Sequence, residues 1–270
     1  MTVFGVVAGG RGTHEALLWR YPGHQQASVA RWVRTGVARG ERVVWPQEDA
    51  SLRLALAQQG VDLPAATERD QVLMVPLEDL LTAGRQATVL EGALGEGYPG
   101  VRVTVPANAV LARLGQAGYR RFDAELDDIC TRLPVTAMCR YDVRAERLGQ
   151  EATSAVTLLL QTHPNAVADG QMWTRRHGNR ILVAGEVDLS SAGLLTGWLR
   201  VACARASSGE VHLDLSQLTF VDVAGCRALV NGTAPLRGAA GVVFLDGVRG
   251  HIHKVMTLLG LDRISGMRLL

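Results

Sequence analysis

The sequence predicts an α/β protein of two domains, in which helices cover sheets on at least one face. From Ile181 to the C-terminal end, short apolar runs alternate with helical patterns. The residues before Gly170 alternate in the same way, though more loosely. A chain of 270 residues is also long enough for two domains that each bury a core. We therefore divide it into residues 1–170 and 171–270.

In the first half, helical spacing of apolar residues predicts helices, and short valine-rich runs predict strands. Helices are expected at 29–37, 52–59 and 122–133. Strands are expected at 41–45, at 72–75, after the turn within 96–103, and at 135–142. The segment 158–164 closes this half.

The second half has a clearer pattern. A buried strand at 180–188 ends in acidic residues, and Ser190 and Ser191 are expected to cap the helix that follows. Further strands are expected at 211–215, 218–222 and 241–245, with an edge strand at 268–270. Helices are expected after Asp222 and at 251–259, and Pro235 makes the end of the former uncertain.

Composition excludes several classes of protein. Hydrophobic residues make up 47% and charged residues 20%, which is typical of a folded chain and not of a disordered one. No apolar run reaches the roughly 18 to 20 residues of a membrane span, and the N-terminus lacks the pattern of a signal peptide, so we expect a cytoplasmic protein. The net charge of +2 argues against a nucleic-acid-binding surface. Lys254 is the only lysine, an arginine bias that suggests a bacterial GC-rich genome such as an actinobacterial one.

Three segments of the second half carry a family resemblance. They are Glu186-Val187-Asp188, the run from Leu215 through Leu218, Phe220 and Asp222 to Gly225, and Val255 to Leu261. In order and spacing, over residues 173–270, they resemble the STAS family (sulphate transporter and anti-sigma-factor antagonist). The resemblance implies a small α/β domain that binds an anti-sigma factor kinase or a related regulatory protein.

The turn Asp222-Val223-Ala224-Gly225 departs from the pattern of that family. The family usually has Asp-Ser-Ser-Gly or Asp-Thr-Ser-Gly there, and the first hydroxyl accepts a phosphate. Phosphate adds a charge of about −1.5 to −2, enough to break an apolar interface. Valine accepts no phosphate but still packs against a partner, so we expect a partner surface of Asp188, Asp222, Val223, Ala224 and Gly225. The alternative is that Val223 and Ala224 only fill a degenerate fold.

Segments of the first half carry a second resemblance. They are Glu96 to Val103, the run Cys139-Arg140-Tyr141-Asp142, and Thr162-His163-Pro164. Over roughly residues 12–170 they resemble the MEDS sensory domain, which implies a RecA-like α/β sandwich related to P-loop ATPases and a small-molecule signal. An early family signature similar to His-x-Cys-x-x-Tyr falls on His14, Ala16 and Trp19, so its cysteine and tyrosine are replaced.

Some residues of the first domain are candidates for a ligand pocket at strand ends, where α/β sheets place ligands. They are His14, Trp19, Tyr98, Arg102 and Tyr141. Two alternatives stay open: His14 caps a helix or lies on the surface, and the others serve packing.

No pattern indicates a catalytic residue, a cofactor or a metal, so we do not expect an enzyme. The segment 5–13 has the glycines of a phosphate-binding loop but neither its lysine nor its following hydroxyl. His251 and His253 point in different directions on a helix. The four cysteines form no CxxC pair or cluster with histidine, so buried reduced thiols are expected, and Cys139 has no obvious histidine partner. The alternative function is a ligand- or nucleotide-binding sensor or enzyme in the first domain, regulated by the second.

Overall fold

A computed structural model describes residues 12–46, 53–82, 84–95, 97–144, 163–168, 171–206 and 209–270. The chain divides into two compact units, Met1–Asp142 and Val143–Leu270. The predicted boundary between residues 170 and 171 stays a prediction.

The first unit alternates strands and helices, as predicted. Its elements are β1 (His14–Trp19), α1 (Pro22–Ala38), β2 (Arg42–Pro46), α2 (Arg53–Gln58), α3 (Leu63–Glu68), β3 (Val72–Val75), α4 (Leu77–Leu81), α5 (Arg85–Leu94), β4 (Val101–Pro106), α6 (Ala107–Arg132) and β5 (Val135–Asp142).

The five strands form a parallel sheet in the order β1-β5-β4-β2-β3. Helices cover both of its faces. Trp32 of α1 lies against Arg102 of β4, whose guanidinium carbon is 4.8 Å from the centre of the indole ring. In β5, Thr136 is paired with Arg102 and shares its face of the sheet. Since successive side chains of a strand point to opposite faces, Ala137 and Cys139 lie on the other face, which α6 covers. Burial on both faces explains the continuous apolar runs Val43-Val44-Trp45 in β2 and Val72 to Val75 in β3.

Several elements of this unit differ from the prediction. Helices α3, α4 and α5 were not predicted, and α1 begins at Pro22, seven residues before the predicted start at Val29. Strand β1 was not predicted, because it begins with the polar residues His14 and Glu15, although both are buried. Helix α6 begins fifteen residues before the predicted start at Phe122, and Gly115 interrupts it with φ 64° and ψ 177°. Residues 158–162 of the predicted segment 158–164 lie outside the described residues.

The second unit has a sheet flanked by helices. Its elements are β6 (Asn165–Ala168), β7 (Met172–His177), β8 (Arg180–Val187), α7 (Leu189–Ala204), β9 (Glu210–Asp214), β10 (Leu218–Val221), α8 (Val223–Gly238), β11 (Val242–Asp246), α9 (Gly250–Leu258), a 3₁₀ turn (Leu261–Arg263) and β12 (Met267–Leu269).

Strand β8 changes partner along its length, and this change positions the turn at Asp222. Its first half pairs with β9, and from Gly185 onward it pairs with β10. Gly185 has φ 83°, and a Cβ there would lie 2.0 Å from the carbonyl oxygen of Gln171. The carboxyl ends of β8 and β10 therefore lie side by side, and so do the beginnings of the helices that follow them, α7 and α8.

The predicted strands and helices of this unit are confirmed, with two differences. Helix α8 continues past Pro235 to Gly238. The hairpin of β6 and β7 was not predicted, because arginine and histidine follow one another at its end. Within the described residues, no helix combines the length and the apolar character that crossing a membrane requires.

Candidate functional site

The carboxylate of Asp222 joins the starts of two helices. The backbone N–H of Gly225, in the first turn of α8, donates to Oδ1 of Asp222 at 2.7 Å. The backbone N–H of Leu189, the first residue of α7, donates to Oδ2 at 3.0 Å. One side chain thus satisfies free N–H groups at both helix ends and fixes their spacing.

Asp188 caps α7, which corrects the prediction that Ser190 and Ser191 do so. Oδ1 of Asp188 accepts from the backbone N–H groups of Ser190 and Ser191 at 2.9 and 3.1 Å. The hydroxyl oxygen of Ser191 accepts in return from the backbone N–H of Asp188, which completes a capping box. Hydrogen bonds, first that of the Ser190 hydroxyl, lower the pKa of the Asp188 carboxyl.

Gly225 allows α8 to start close to β8. A Cβ at this position would lie 2.5 Å from the carbonyl oxygen of Val187 and 2.8 Å from a methyl carbon of Val221. Every other residue type carries that carbon, so this approach of helix to strand requires glycine.

Large apolar side chains are exposed around Asp222. The exposed fractions are 79% for Leu189, 45% for Phe220 and 49% for Val223. The hydrogen bond from Leu189 to Asp222 keeps Leu189 beside the turn, and Phe220 lies at the end of β10. We call Leu189, Phe220 and Val223 the turn patch. Exposed apolar side chains grouped around one turn are typical of surfaces that bind other molecules.

Four of the five residues predicted to line a ligand pocket belong to strands of the first sheet and divide between its two faces, whereas Tyr98 precedes β4. Arg102 faces α1, where it forms an ion pair with Glu41 and donates to the carbonyl oxygen of Trp32. Tyr98 precedes β4 and lies under the guanidinium of Arg42, whose central carbon is 5.1 Å from the centre of the phenol ring.

Trp19, His14 and Tyr141 complete this set. Trp19 is five residues from His14 in β1, so it points to the opposite face. The structure brings together His14 and Tyr141, which both face α6, and separates them from Arg102. A surface groove of about 920 Å³ lies elsewhere, along α2, α3 and Met74.

His14 is buried in β1, with 2% of its surface exposed, so it neither caps a helix nor lies on the surface. Its Nε2 atom lies 3.4 Å from Sγ of Cys139 and 3.5 Å from Oδ1 of Asp123. Its Nδ1 atom lies 3.2 Å from Oδ1 of Asp127. The prediction that Cys139 lacks a histidine partner is therefore wrong.

A tyrosine pair extends this buried polar cluster. Tyr119 donates to Oδ1 of Asp123 at 3.1 Å, and its hydroxyl also hydrogen-bonds the hydroxyl of Tyr141. Burial raises the pKa of both phenols well above the usual range, and nearby Cys139 adds to the effect. Burial, followed by the Asp123 carboxylate, also raises the pKa of the Cys139 thiol. Without a cation, these phenols and this thiol are therefore neutral near pH 7.

Sequence reasoning missed the residues of α6 that form this cluster. Tyr119, Asp123 and Asp127 recur every four residues and therefore lie on one helix face. That face also carries Phe122, Leu126 and Ile129, which are buried. A carboxylate within a buried apolar face is the signal that could have identified Asp123, since an ionisable side chain is rarely buried without a partner.

Comparison with known proteins gives two family matches along the chain. Residues 13–164 match the MEDS family, described as a methanogen/methylotroph, DcmR sensory domain. Residues 173–270 match a family described as Mlab, STAS domain. A comparison with curated proteins gives no significant match.

Two solved structures illustrate what the fold is similar to. One is a KaiC-like protein from the hyperthermophilic archaeon Pyrococcus horikoshii OT3, with 14% identity, a TM-score of 0.44, and coverage of 65% of this chain and 79% of that one. The other is the Bacillus cell fate determinant SpoIIAA in its phosphorylated form, with 17% identity, a TM-score of 0.29, and coverage of 37% of this chain and 90% of that one.

Proposed function

The chain belongs to the MEDS family of sensory domains and carries an STAS domain after it, and from this premise we propose that it is a non-catalytic signalling regulator. In this proposal the STAS domain binds a protein partner, an anti-sigma factor kinase or a related regulatory protein. The MEDS domain senses a small-molecule signal.

The turn patch is the observation that carries the proposal. Leu189, Phe220 and Val223 expose apolar surface to solvent, and Asp222 holds the two helix ends that present it. A patch on a rigid support loses little conformational entropy when a partner covers it. The surface is therefore suited to docking a protein with a complementary apolar face.

Binding at this surface is not controlled by phosphate at the usual position of the turn. Val223 occupies that position and has no hydroxyl. We therefore place control of the partner in the sensory domain, whose signal would change the affinity of the regulator.

Binding assays with the anti-sigma factor kinases encoded in the same genome test the proposal. Leu189→Glu places a charge in the interface and is expected to weaken binding at least about tenfold, because a buried unpaired carboxylate is costly. Leu258→Glu is the matched control, since Leu258 is 86% exposed and lies on α9. Equal affinities of both variants and the wild type, or no binding by the wild type with any of these kinases, would contradict the proposal.

The alternative, a nucleotide-dependent enzyme in the first domain, stays a prediction. This alternative rests on the RecA-like resemblance of the first domain alone. Residues 5–11 of the glycine-rich segment lie outside the described residues. Calorimetric titration with ATP, GTP and their magnesium complexes separates the two functions: heat of binding favours the alternative, and its absence favours the non-catalytic regulator.

A further inference from the structure

Three side chains from different elements of the first unit bring their donor atoms together in its core. His14 lies on β1, Cys139 on β5 and Asp123 on α6, and each is at most 2% exposed. The separations are 3.4 Å from Nε2 to Sγ, 3.5 Å from Nε2 to Oδ1 and 3.7 Å from Sγ to Oδ1. The three atoms therefore form a nearly equilateral triangle.

This triangle has the size of one face of a tetrahedral zinc site. Zn²⁺ binds thiolate sulfur at about 2.3 Å, and imidazole nitrogen or carboxylate oxygen at about 2.0 to 2.2 Å. At the tetrahedral angle these bond lengths separate neighbouring donors by about 3.3 to 3.7 Å. All three observed separations fall in that range.

Hydrogen bonding alone explains the triangle less well. A nitrogen–oxygen hydrogen bond is typically about 2.7 to 3.2 Å long, whereas Nε2 of His14 lies 3.5 Å from the Asp123 oxygen. A single ring nitrogen also faces both Sγ and Oδ1, and it has one proton or one lone pair to offer them. A cation placed between the three atoms satisfies all of them at once.

The surrounding residues support the ligands as they do in metal sites. Nδ1 of His14 contacts the carboxylate of Asp127 at 3.2 Å, which orients the ring so that the Nε2 lone pair faces the triangle. Tyr119 donates to the Asp123 carboxylate at 3.1 Å. Metal-ligating histidines usually have a carboxylate on the second ring nitrogen, and ligating carboxylates are usually hydrogen-bonded.

We propose that His14, Asp123 and Cys139 form a binding site for a divalent transition-metal ion, with Zn²⁺ as the preferred ion. Imidazole and thiolate together favour zinc over the hard cations magnesium and calcium, which take oxygen ligands. A further donor completes the tetrahedron. As the sulfur–metal bond forms, the thiol proton of Cys139 is released to solvent. The site does not involve the turn patch and does not depend on the proposed partner.

Cobalt is the probe, because tetrahedral Co²⁺ substitutes for Zn²⁺ and absorbs visible light. The full chain without a tag is freed of metal by a chelator and titrated with Co²⁺. The expected result is a single Co²⁺ per chain with visible bands of tetrahedral cobalt and a thiolate-to-cobalt charge-transfer band, all removed by Zn²⁺. Titration without the charge-transfer band would overturn the proposal, whatever the variants do.

Cysteine variants assign the band to its ligand. Cys139→Ala is expected to abolish the charge-transfer band and to weaken binding by more than about tenfold, the lower limit for loss of even an outer supporting residue. Cys203→Ala is the matched control, since Cys203 is also buried but lies in α7, and it should keep the wild-type spectrum.

Thermal unfolding gives an independent measurement. Zn²⁺ should raise the melting temperature of the wild type and of Cys203→Ala, because a ligand that binds only the folded state stabilises it. The rise should be smaller in Cys139→Ala, because this variant binds the ion more weakly. An equal rise in all three proteins would overturn the proposal.

Discussion

Asp188 is the side chain that most directly stabilises the start of α7. Replacing this cap with alanine should lower the free energy of unfolding by about 1 kcal/mol, because two backbone N–H groups lose their acceptor. Asp188→Asn keeps an acceptor oxygen and serves as the control, with a much smaller loss. Urea unfolding at pH 7 measures both differences, and equal losses in the two variants would contradict the role of the cap.

The charge of Asp188 adds a dependence on pH. Hydrogen bonds lower its pKa in the folded protein relative to the unfolded value of about 3.9, so the unfolded chain binds more protons at acidic pH. The resulting stability is fully present above that unfolded value and is lost as the pH falls through the folded pKa. Asp188→Asn has no such contribution, so the stability difference between wild type and this variant should shrink below about pH 4.

At the scale of elements, Gly225 sets the distance between α8 and β8. Gly225→Ala should destabilise the protein by about 1 to 3 kcal/mol, since the new carbon would overlap a backbone oxygen that cannot move independently. Gly193→Ala is the control, because Gly193 is also helical but has no neighbouring atom within 4 Å of the position that a Cβ would take. That variant should gain up to about 1 kcal/mol from the higher helix propensity of alanine.

Chemical denaturation of both glycine variants separates the effect of the added Cβ on packing from the effect of alanine on helix propensity. If Gly225→Ala were as stable as Gly193→Ala, the close approach of helix to strand would not be required. Binding of the partner by Gly225→Ala should also weaken, because a shift of α8 displaces Val223 relative to Leu189.

Local sequence patterns predicted most helices and strands, because the residues that these elements bury recur at helical spacing or in short apolar runs. Strand β5 is predicted to the residue, since its neighbours on both sides bury it. Strand β1 was not predicted because it begins with two polar side chains, His14 and Glu15, and the contacts of His14 with Asp127 and Cys139 exist only in the folded chain. The first part of α6 was not predicted, because Gly115 departs from the helical conformation and interrupts the helical spacing of apolar residues.

At the scale of the whole chain, the turn could be predicted and the buried cluster could not. The turn is a continuous segment, and Asp222 caps the helix that directly follows it. The cluster joins residues 125 positions apart, His14 and Cys139, through the pairing of β1 with β5. That pairing places Ala16, the position where the family signature has its cysteine, opposite Cys139. This core therefore contains the thiol of Cys139 but lacks the second thiol that a cysteine at position 16 would place beside it.

If the proposed function is correct, the absence of a hydroxyl at Val223 should determine how the protein responds to a kinase partner. Val223→Ser is expected to gain phosphate when incubated with ATP and a kinase partner, and its binding to that partner should then weaken. The reason is that a charge of about −1.5 to −2 would enter the apolar turn patch beside the Asp222 carboxylate. Mass spectrometry locates the phosphate, and Val223→Ala, which has no hydroxyl, is the control that should stay unmodified.

The wild type has other hydroxyl groups near the turn that a kinase could phosphorylate instead, those of Thr219 and Ser190. The hydroxyl of Thr219 donates to the carbonyl oxygen of Gly185 at 2.9 Å, and that of Ser190 donates to the Asp188 cap. Phosphorylation of either would remove a hydrogen bond that holds the turn or the helix start, so we expect the wild type to remain unlabelled. Phosphate on Thr219 or Ser190 of the wild type would contradict a docking surface free of phosphate control. Phosphate confined to Val223→Ser would support it, because only the missing hydroxyl would then separate this turn from a phosphate-controlled one.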